Sequence, residues 1–71
     1  MRTHPKDGVT QWSPKPGEVI VKAYGNFAAD AFRLYLDDAY RIVTRDTGKH
    51  PAAHFTYSDG VIEVRVTETL D

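Results

Sequence analysis

One stretch of the chain, residues 26–45, has a clear helical period, and it constrains the fold more than any other feature. Apolar side chains recur there at steps of three and four residues, as at Phe32, Leu36 and Val43. Charged side chains such as that of Asp37 take the opposite side. This is the pattern of an amphipathic helix with one broad apolar stripe. The rest of the chain must supply a surface that covers this stripe.

Both ends of the predicted helix carry recognisable signals. Asn26 is the expected N-cap, because its side-chain oxygen can accept a backbone N–H from the first turn. At the other end, Gly48 is expected to adopt the left-handed conformation that stops a helix, and Pro51 prevents the helix from resuming. The sequence therefore bounds the helix on both sides.

The last third of the chain predicts a β-hairpin. Two runs of alternating apolar and polar residues flank Asp59-Gly60, a pair that tolerates the positive φ needed by a two-residue turn. A turn of this length also fixes the register, and it places Phe55 opposite Val64. A slip of one residue would put the apolar side chains of the two runs on opposite faces, so the pattern supports a single register.

Residues 18–24 predict one further strand, with Val19, Val21 and Ala23 on its apolar face. The resulting order is β-α-β-β, an α+β domain with a three-stranded antiparallel sheet and one helix on one face. We expect a right-handed crossover and place the last strand in the middle, because it has the longest β-rich run. The predicted core consists of Val19, Val21, Ala23, Phe32, Tyr35, Leu36, Ala39, Ile42, Val43, Phe55, Tyr57, Ile62, Val64 and Val66.

The amino-terminal part is expected to be an arm, residues 1–17, in front of a single domain, residues 18–71. Strand-forming residues at 9–12 allow a short extra strand. Trp12 is expected to dock on the core, because a tryptophan can bury on the order of 200 Å². Two prolines and a glycine in the stretch 13–17 predict a break in regular structure.

Composition excludes several classes of protein. A chain of 71 residues holds one small domain, and its lack of cysteine excludes disulfides and thiolate zinc sites. A net charge of −1 provides no strong attraction for nucleic acid or an anionic membrane. Neither a membrane-spanning run nor a signal-peptide core is found in the sequence. We therefore expect a soluble, cytoplasmic protein with no membrane partner.

The titratable residues predict neither a metal site nor catalysis. His50 and His54 are four residues apart, but they flank a loop-to-strand junction rather than sharing a helix face, and His4 is the remaining histidine. Asp37 and Asp38 are adjacent on the helix, so their side chains diverge by about 100°. We predict a non-enzymatic protein without a cofactor, metal or small-molecule substrate.

The predicted function is protein binding. A three-stranded sheet with one helix leaves one sheet face and at least one edge uncovered, and a partner can cover these surfaces. We expect this partner to be a second copy of the chain or a larger host protein. The predicted contact residues are Ile20, Lys22, Tyr24, His54 and Arg65 on the open sheet face, and Phe27 and Leu34 on the helix side.

Binding of RNA or DNA through the open sheet face is the alternative. Basic side chains around Tyr24 resemble the arrangement by which RNA-recognition sheets stack bases and attract phosphates. Glu18 and Glu63 are predicted on the same face and oppose this interpretation, as does the slightly acidic balance of the whole chain.

The β-α-β-β order resembles half of a ferredoxin-like domain. In this respect the chain is similar to many small phage-encoded and toxin–antitoxin-associated proteins. This resemblance implies a phage or mobile-element protein that binds and modulates a host protein. It concerns architecture alone, and a fold does not imply a function.

Overall fold

The computed structural model describes residues 7–69. Its four strands form one antiparallel sheet in the order β1-β2-β4-β3, and its helix packs on one face of that sheet. The predicted α+β class is therefore confirmed. The elements, in chain order, are β1 (Gly8–Lys15), β2 (Glu18–Tyr24), α1 (Ala29–Thr47), β3 (Pro51–Ser58) and β4 (Val61–Glu68).

The carboxyl-terminal hairpin agrees with the prediction in turn, register and position. Asp59 and Gly60 both have positive φ, 54° and 75°, as a two-residue turn requires. Phe55 lies opposite Val64 in the β3–β4 ladder. β4 is central and antiparallel to both β2 and β3. β2 and β3 therefore run parallel to each other, and α1 connects them as a split β-α-β unit.

The sheet has four strands, whereas the sequence predicts three and an optional fourth. β1 continues to Lys15, so the break predicted over residues 13–17 takes the form of a bulge within the strand followed by a turn at residues 16–17. Trp12 lies opposite Ile20 in β2. Lys15 lies opposite Glu18, so β1 contains one residue more than β2 between these two pairs. This β-bulge accommodates Pro14, because a bulged residue of an edge strand does not need to donate a ladder hydrogen bond.

Trp12 is a side chain of the sheet itself. It lies on the face opposite α1, which we call the reverse face, and its side chain is 56% exposed. Residues 1–6, the remainder of the predicted arm, lie outside the described residues. Trp12 is therefore positioned by the pairing of β1 with β2.

The core lies between α1 and the helix-side face of the sheet. Phe32, Leu36, Ile42 and Ile62 are partly buried and pack around its centre. The largest fully buried side chains are all valine: Val19, Val21, Val43, Val64 and Val66.

Three residues of the predicted core are exposed. Tyr35, Phe55 and Tyr57 are 38%, 59% and 73% accessible to solvent. The alternating pattern assigns Phe55 and Tyr57 to the correct face, since Phe55 lies opposite the fully buried Val64. However, α1 packs chiefly against β1, β2 and β4 and least against β3. The helix-side face of β3 therefore extends beyond the area that the helix covers.

The two helix ends differ in how well they match the sequence signals. The N-cap is Ala28, without a side-chain capping bond, so the prediction of Asn26 as N-cap is wrong. The backbone N–H of Asn26 instead donates to Asp7 Oδ1 at 2.9 Å. Gly48 ends the helix with φ 72°, and its N–H donates to the Thr44 carbonyl at 2.7 Å. The predicted left-handed stop is confirmed.

Candidate protein-binding surface

The outer margin of β3 is the candidate site. Within residues 7–69, no strand pairs with the outer side of β3. Phe55 and Tyr57 project from the helix-side face of this strand and are mostly exposed, with the half-buried Ala53 next to them. We call the outer margin of β3, together with these three residues, the β3 edge. It combines an unpaired strand with aromatic side chains, both of which can bind another chain.

The off-centre position of α1 leaves the β3 edge uncovered. Gln11 Nε2 of β1 donates to Asp38 Oδ2 of the helix at 3.2 Å. The Gly17 N–H, in the turn between β1 and β2, donates to Asp46 Oδ2 at 3.3 Å. Both hydrogen bonds hold the helix over the β1 side of the sheet. The helix therefore lies furthest from β3.

The backbone of the β3 edge also faces outward at the aromatic residues. The Thr69 N–H donates to the His50 carbonyl at 3.0 Å, so this pair, in register with the β3–β4 ladder, is a hydrogen-bonded pair. Hydrogen-bonded and non-hydrogen-bonded pairs alternate along an antiparallel ladder. Ala53, Phe55 and Tyr57 therefore occupy non-hydrogen-bonded positions, and their N–H and C=O groups point away from β4. The same three residues therefore offer both their side chains and their backbone hydrogen-bonding groups to a partner strand.

The opposite margin of the sheet is formed by β1, and its part around Ser13, Pro14 and Lys15, which we call the β1 edge, is poorly suited to pairing. Pro14 lacks an N–H, and the bulge interrupts the regular spacing of backbone groups. The Ser13 hydroxyl lies within hydrogen-bonding distance of the Lys15 and Glu18 carbonyls, at 2.9 and 2.7 Å. Proline, a bulge and a lysine are features that protect edge strands from association.

The alternating pattern predicts that Phe55 and Tyr57 lie in the core, so it does not indicate that they are exposed. One signal points to them. The β3 segment, Pro51–Ser58, contains no lysine, arginine, aspartate or glutamate. An edge strand without such charged residues lacks a common protection against pairing with another chain.

Five of the predicted contact residues lie on the reverse face, but they are not equally available. Ile20 and Tyr24 are 7% and 8% exposed, so their side chains offer little surface to a partner. Lys22 is half-buried, whereas His54 and Arg65 are exposed. The surface of this group therefore comes mainly from its polar members.

On the reverse face, Arg65 and Lys22 each have a glutamate as a cross-strand neighbour. Arg65 Nε lies 3.2 Å from Glu18 Oε2. Lys22 lies opposite Glu63 in the β2–β4 ladder. These neighbours reduce the positive field that a phosphate backbone would meet.

The two predicted residues on the helix side take separate positions. Phe27 packs edge-to-face on Phe32, with ring centroids 5.1 Å apart, and is half-buried. Leu34 is 66% exposed. It precedes Asp38 by four residues and shares its helix flank, which is the flank directed to β1. Leu34 is therefore remote from the β3 edge.

Metal-ligating side chains are scattered over the described part of the chain. In residues 7–69, no group of three or more His, Cys, Asp or Glu side chains is close enough to hold a metal ion. His4 of the sequence analysis falls outside these residues. No helix in this range has the length and apolarity needed to cross a membrane.

Comparison of the chain with protein-family models, with curated proteins and with solved structures finds no match. The functional interpretation accordingly rests on the geometry described above.

Proposed function

We propose that this protein is a non-enzymatic protein-binding module that holds its partner at the β3 edge. One observation carries the proposal: the exposed aromatic side chains of Phe55 and Tyr57 coincide with the outward backbone groups of the same strand. Either feature alone is common on protein surfaces, since single exposed apolar residues need no explanation. Together they form a surface that a strand of another protein can extend.

The binding mode that fits this surface is strand addition. A partner strand would pair with Ala53, Phe55 and Tyr57, so that backbone hydrogen bonds supply affinity and the flanking side chains supply specificity. Full burial of an aromatic side chain contributes about 1.5–3 kcal/mol, and the two rings have much of that contribution still available. Burial of the rings and the new backbone hydrogen bonds must together outweigh the entropic cost of association, about 4–15 kcal/mol.

Three of the predicted contact residues are proposed as a secondary surface. Lys22, His54 and Arg65 lie on the reverse face, where polar groups can form the rim of an interface centred on β3. His54 belongs to β3 itself and is exposed, so it is the member of this set nearest to the proposed site.

Binding of RNA or DNA is the alternative function. The exposed His54 and Arg65 favour it, because they are neighbours in the β3–β4 ladder and lie on the open face. The carboxylates of Glu18 and Glu63 weigh against it, because they offset the basic charge that nucleic acid requires. The protein-binding proposal has the stronger support.

We also propose a cytoplasmic location and an origin in a phage or mobile element, with a host protein as one candidate partner. The support for the location is the cysteine-free composition. The support for the origin is the resemblance in architecture, since β2, α1, β3 and β4 keep the order on which it rests.

A pull-down from the native lysate tests the proposed function. Tagged wild-type protein is compared with Phe55→Lys and Tyr57→Lys, which place a charge on the proposed surface. Leu34→Lys is the matched control, because Leu34 is similarly exposed but lies on the helix. We expect wild type and the control to retain the same protein, untagged copies of this chain included, and both β3 variants to lose it.

Two results would contradict the proposal. One is a partner that both β3 variants retain and the Leu34→Lys control loses. The other is a salt-sensitive mobility shift with oligonucleotides that Lys22→Glu or Arg65→Glu abolishes, which would establish nucleic-acid binding instead.

A further inference from the structure

We propose that the partner at the β3 edge is a second copy of this chain, and that the two β3 strands pair antiparallel about a two-fold axis at Phe55. The inference rests on the proposed function, because it assigns an occupant to the same surface. It joins two four-stranded sheets into one continuous sheet of eight strands. A symmetric pairing requires that one strand be complementary to itself, and β3 satisfies this requirement in its backbone, side chains and charge.

The backbone groups restrict the register. Only residues whose N–H and C=O groups point outward can form the hydrogen-bonded pairs of a new ladder, and on β3 these are Ala53, Phe55 and Tyr57. With Phe55 opposite Phe55 of the second copy, Ala53 lies opposite Tyr57 of the second copy, and the reverse pair follows by symmetry. All outward groups of the three residues then find partners, in about six hydrogen bonds.

Neighbouring registers are less favourable. An axis at His54 places Tyr57 opposite Pro51, which has no N–H, so a Tyr57 carbonyl on each copy is left without a donor. It also sets the two His54 side chains directly against each other. An axis at Thr56 shortens the paired segment, because Ala53 then lies opposite Asp59, which belongs to the turn and has a positive φ.

Side-chain size supports the axis at Phe55. On the helix-side face, each Tyr57 meets Ala53 of the other copy, so a large side chain lies over a small one on both sides of the central Phe55 pair. On the reverse face, His54 lies opposite Thr56 of the second copy. Aromatic pairs such as Phe55 with Phe55 are among the cross-strand contacts that stabilise antiparallel sheets.

Charge and the other margin of the sheet support the same occupant. Pro51–Ser58 contains no lysine, arginine, aspartate or glutamate, so two copies meet without repulsion between such groups. The β1 edge does not offer an equivalent run of eight regularly paired residues, because Pro14 and the bulge interrupt its backbone. Pairing of β3 with β3 about a two-fold axis uses the same edge on both copies, so the assembly closes at two.

The two exposed rings would remove on the order of 200–300 Å² per copy from water, which is a small interface. Interfaces in the low size range are usually weak. We therefore expect a dissociation constant on the order of 10–100 µM, so that monomer and dimer exchange within an accessible concentration range.

Sedimentation equilibrium from roughly 1 µM to 1 mM tests the inference. We expect the mass of the wild-type chain to rise from 8.0 kDa toward twice that value as the concentration increases. Phe55→Lys and Tyr57→Lys should weaken the dimer by about 30-fold or more, whereas Leu34→Lys should leave it unchanged. Circular dichroism of each variant checks that its fold is retained.

Cysteine cross-linking then tests the register, and the cysteine-free sequence provides a clean background. An equimolar mixture of His54→Cys and Thr56→Cys chains should form the mixed disulfide faster than either variant forms a disulfide with itself. Preferential self-cross-linking of His54→Cys or of Thr56→Cys would move the axis and overturn the proposed register.

A wild-type mass that stays at the monomer value up to the highest concentration would overturn the dimer. A dimer that survives both lysine substitutions would also overturn it. The proposed function has a separate outcome: a monomeric protein that captures a different protein through Phe55 and Tyr57 refutes the dimer and retains the binding module. Loss of both self-association and β3-dependent capture refutes the proposed function as well.

Discussion

The two edges of this sheet differ in almost every property that governs association between strands. The β1 edge contains Pro14, a bulge and Lys15, and it lies on the side over which α1 is held. The β3 edge is regular and uncharged, and it presents Phe55 and Tyr57 to solvent. A sheet protected at one end and open at the other is expected to direct binding to the open end.

The position of the helix produces this difference. Gln11 and the Gly17 turn each donate a hydrogen bond to an aspartate of α1, namely Asp38 and Asp46. These contacts hold the helix toward β1, and one helix is too narrow to cover four strands. Apolar side chains of the far strand remain exposed as a consequence. The same hydrogen bonds that anchor one edge thus leave the other free.

The largest difference in stability between two compared variants is expected where β3 meets β4. Val64 is fully buried and Phe55, directly opposite, is mostly exposed. Val64→Ala should lower the free energy of unfolding by about 2 kcal/mol, whereas Phe55→Ala should lower it by less than about 1 kcal/mol. Denaturant titration at the lowest practical protein concentration, where the monomer dominates, measures both. Equal losses would mean that the helix covers β3 after all.

A smaller difference is expected between the two hairpin turns, where we compare the effect of replacing a glycine by alanine on the free energy of unfolding. Gly17 has φ 84°, and a Cβ placed on it would lie 3.1 Å from Thr47 Cγ2, whereas a Cβ on Gly60 meets nothing within 4 Å. Gly17→Ala should therefore cost about 2 kcal/mol and Gly60→Ala about 1 kcal/mol of unfolding free energy. Thr47→Ser removes the contacted methyl group and keeps the hydroxyl, so the difference should shrink in that background. A difference unaffected by Thr47→Ser would refute the steric explanation.

The smallest expected effect tests the anchor on the β1 side. Gln11→Ala removes the hydrogen bond to Asp38 and should lower the free energy of unfolding by about 0.5–1.5 kcal/mol. Thr56→Ala, on the reverse face of β3, is the control and should change stability by less than about 0.5 kcal/mol. Thermal unfolding followed by circular dichroism compares them. A larger loss of stability in Thr56→Ala than in Gln11→Ala would contradict the conclusion that the hydrogen bond to Asp38 anchors the helix on the β1 side.

Local signals in the sequence are sufficient for the carboxyl-terminal hairpin and for the end of the helix. Asp59-Gly60 determines both turn and register, and Gly48 ends α1, because these effects depend on a few neighbouring residues. The length of β1 could not be predicted, since a bulge makes Pro14 acceptable within an edge strand. Asn26 looks like an N-cap by residue type, yet the helix begins only at Ala29, and the Asn26 backbone N–H donates to Asp7, which is distant in sequence.

The candidate site was predictable only in part, because burial depends on the lateral position of the helix. Alternation assigns Ile20 and Tyr24 to the reverse face, but it does not indicate that both are buried there. It assigns Phe55 and Tyr57 to the helix-side face, but it does not indicate that α1 covers β3 less than it covers the other strands. Periodicity determines the direction of a side chain, whereas the extent of its cover depends on packing between distant segments.

The valine-rich centre of the core has a consequence for how this protein can evolve. Valine is stiff and compact, so the scaffold is held by a few β-branched side chains that have little rotational freedom to lose. The bulky rings of Phe55 and Tyr57 contribute little to that scaffold. Substitutions at these two positions are therefore expected to leave the folded state intact, so that the proposed binding surface can acquire a new specificity through very few mutational steps.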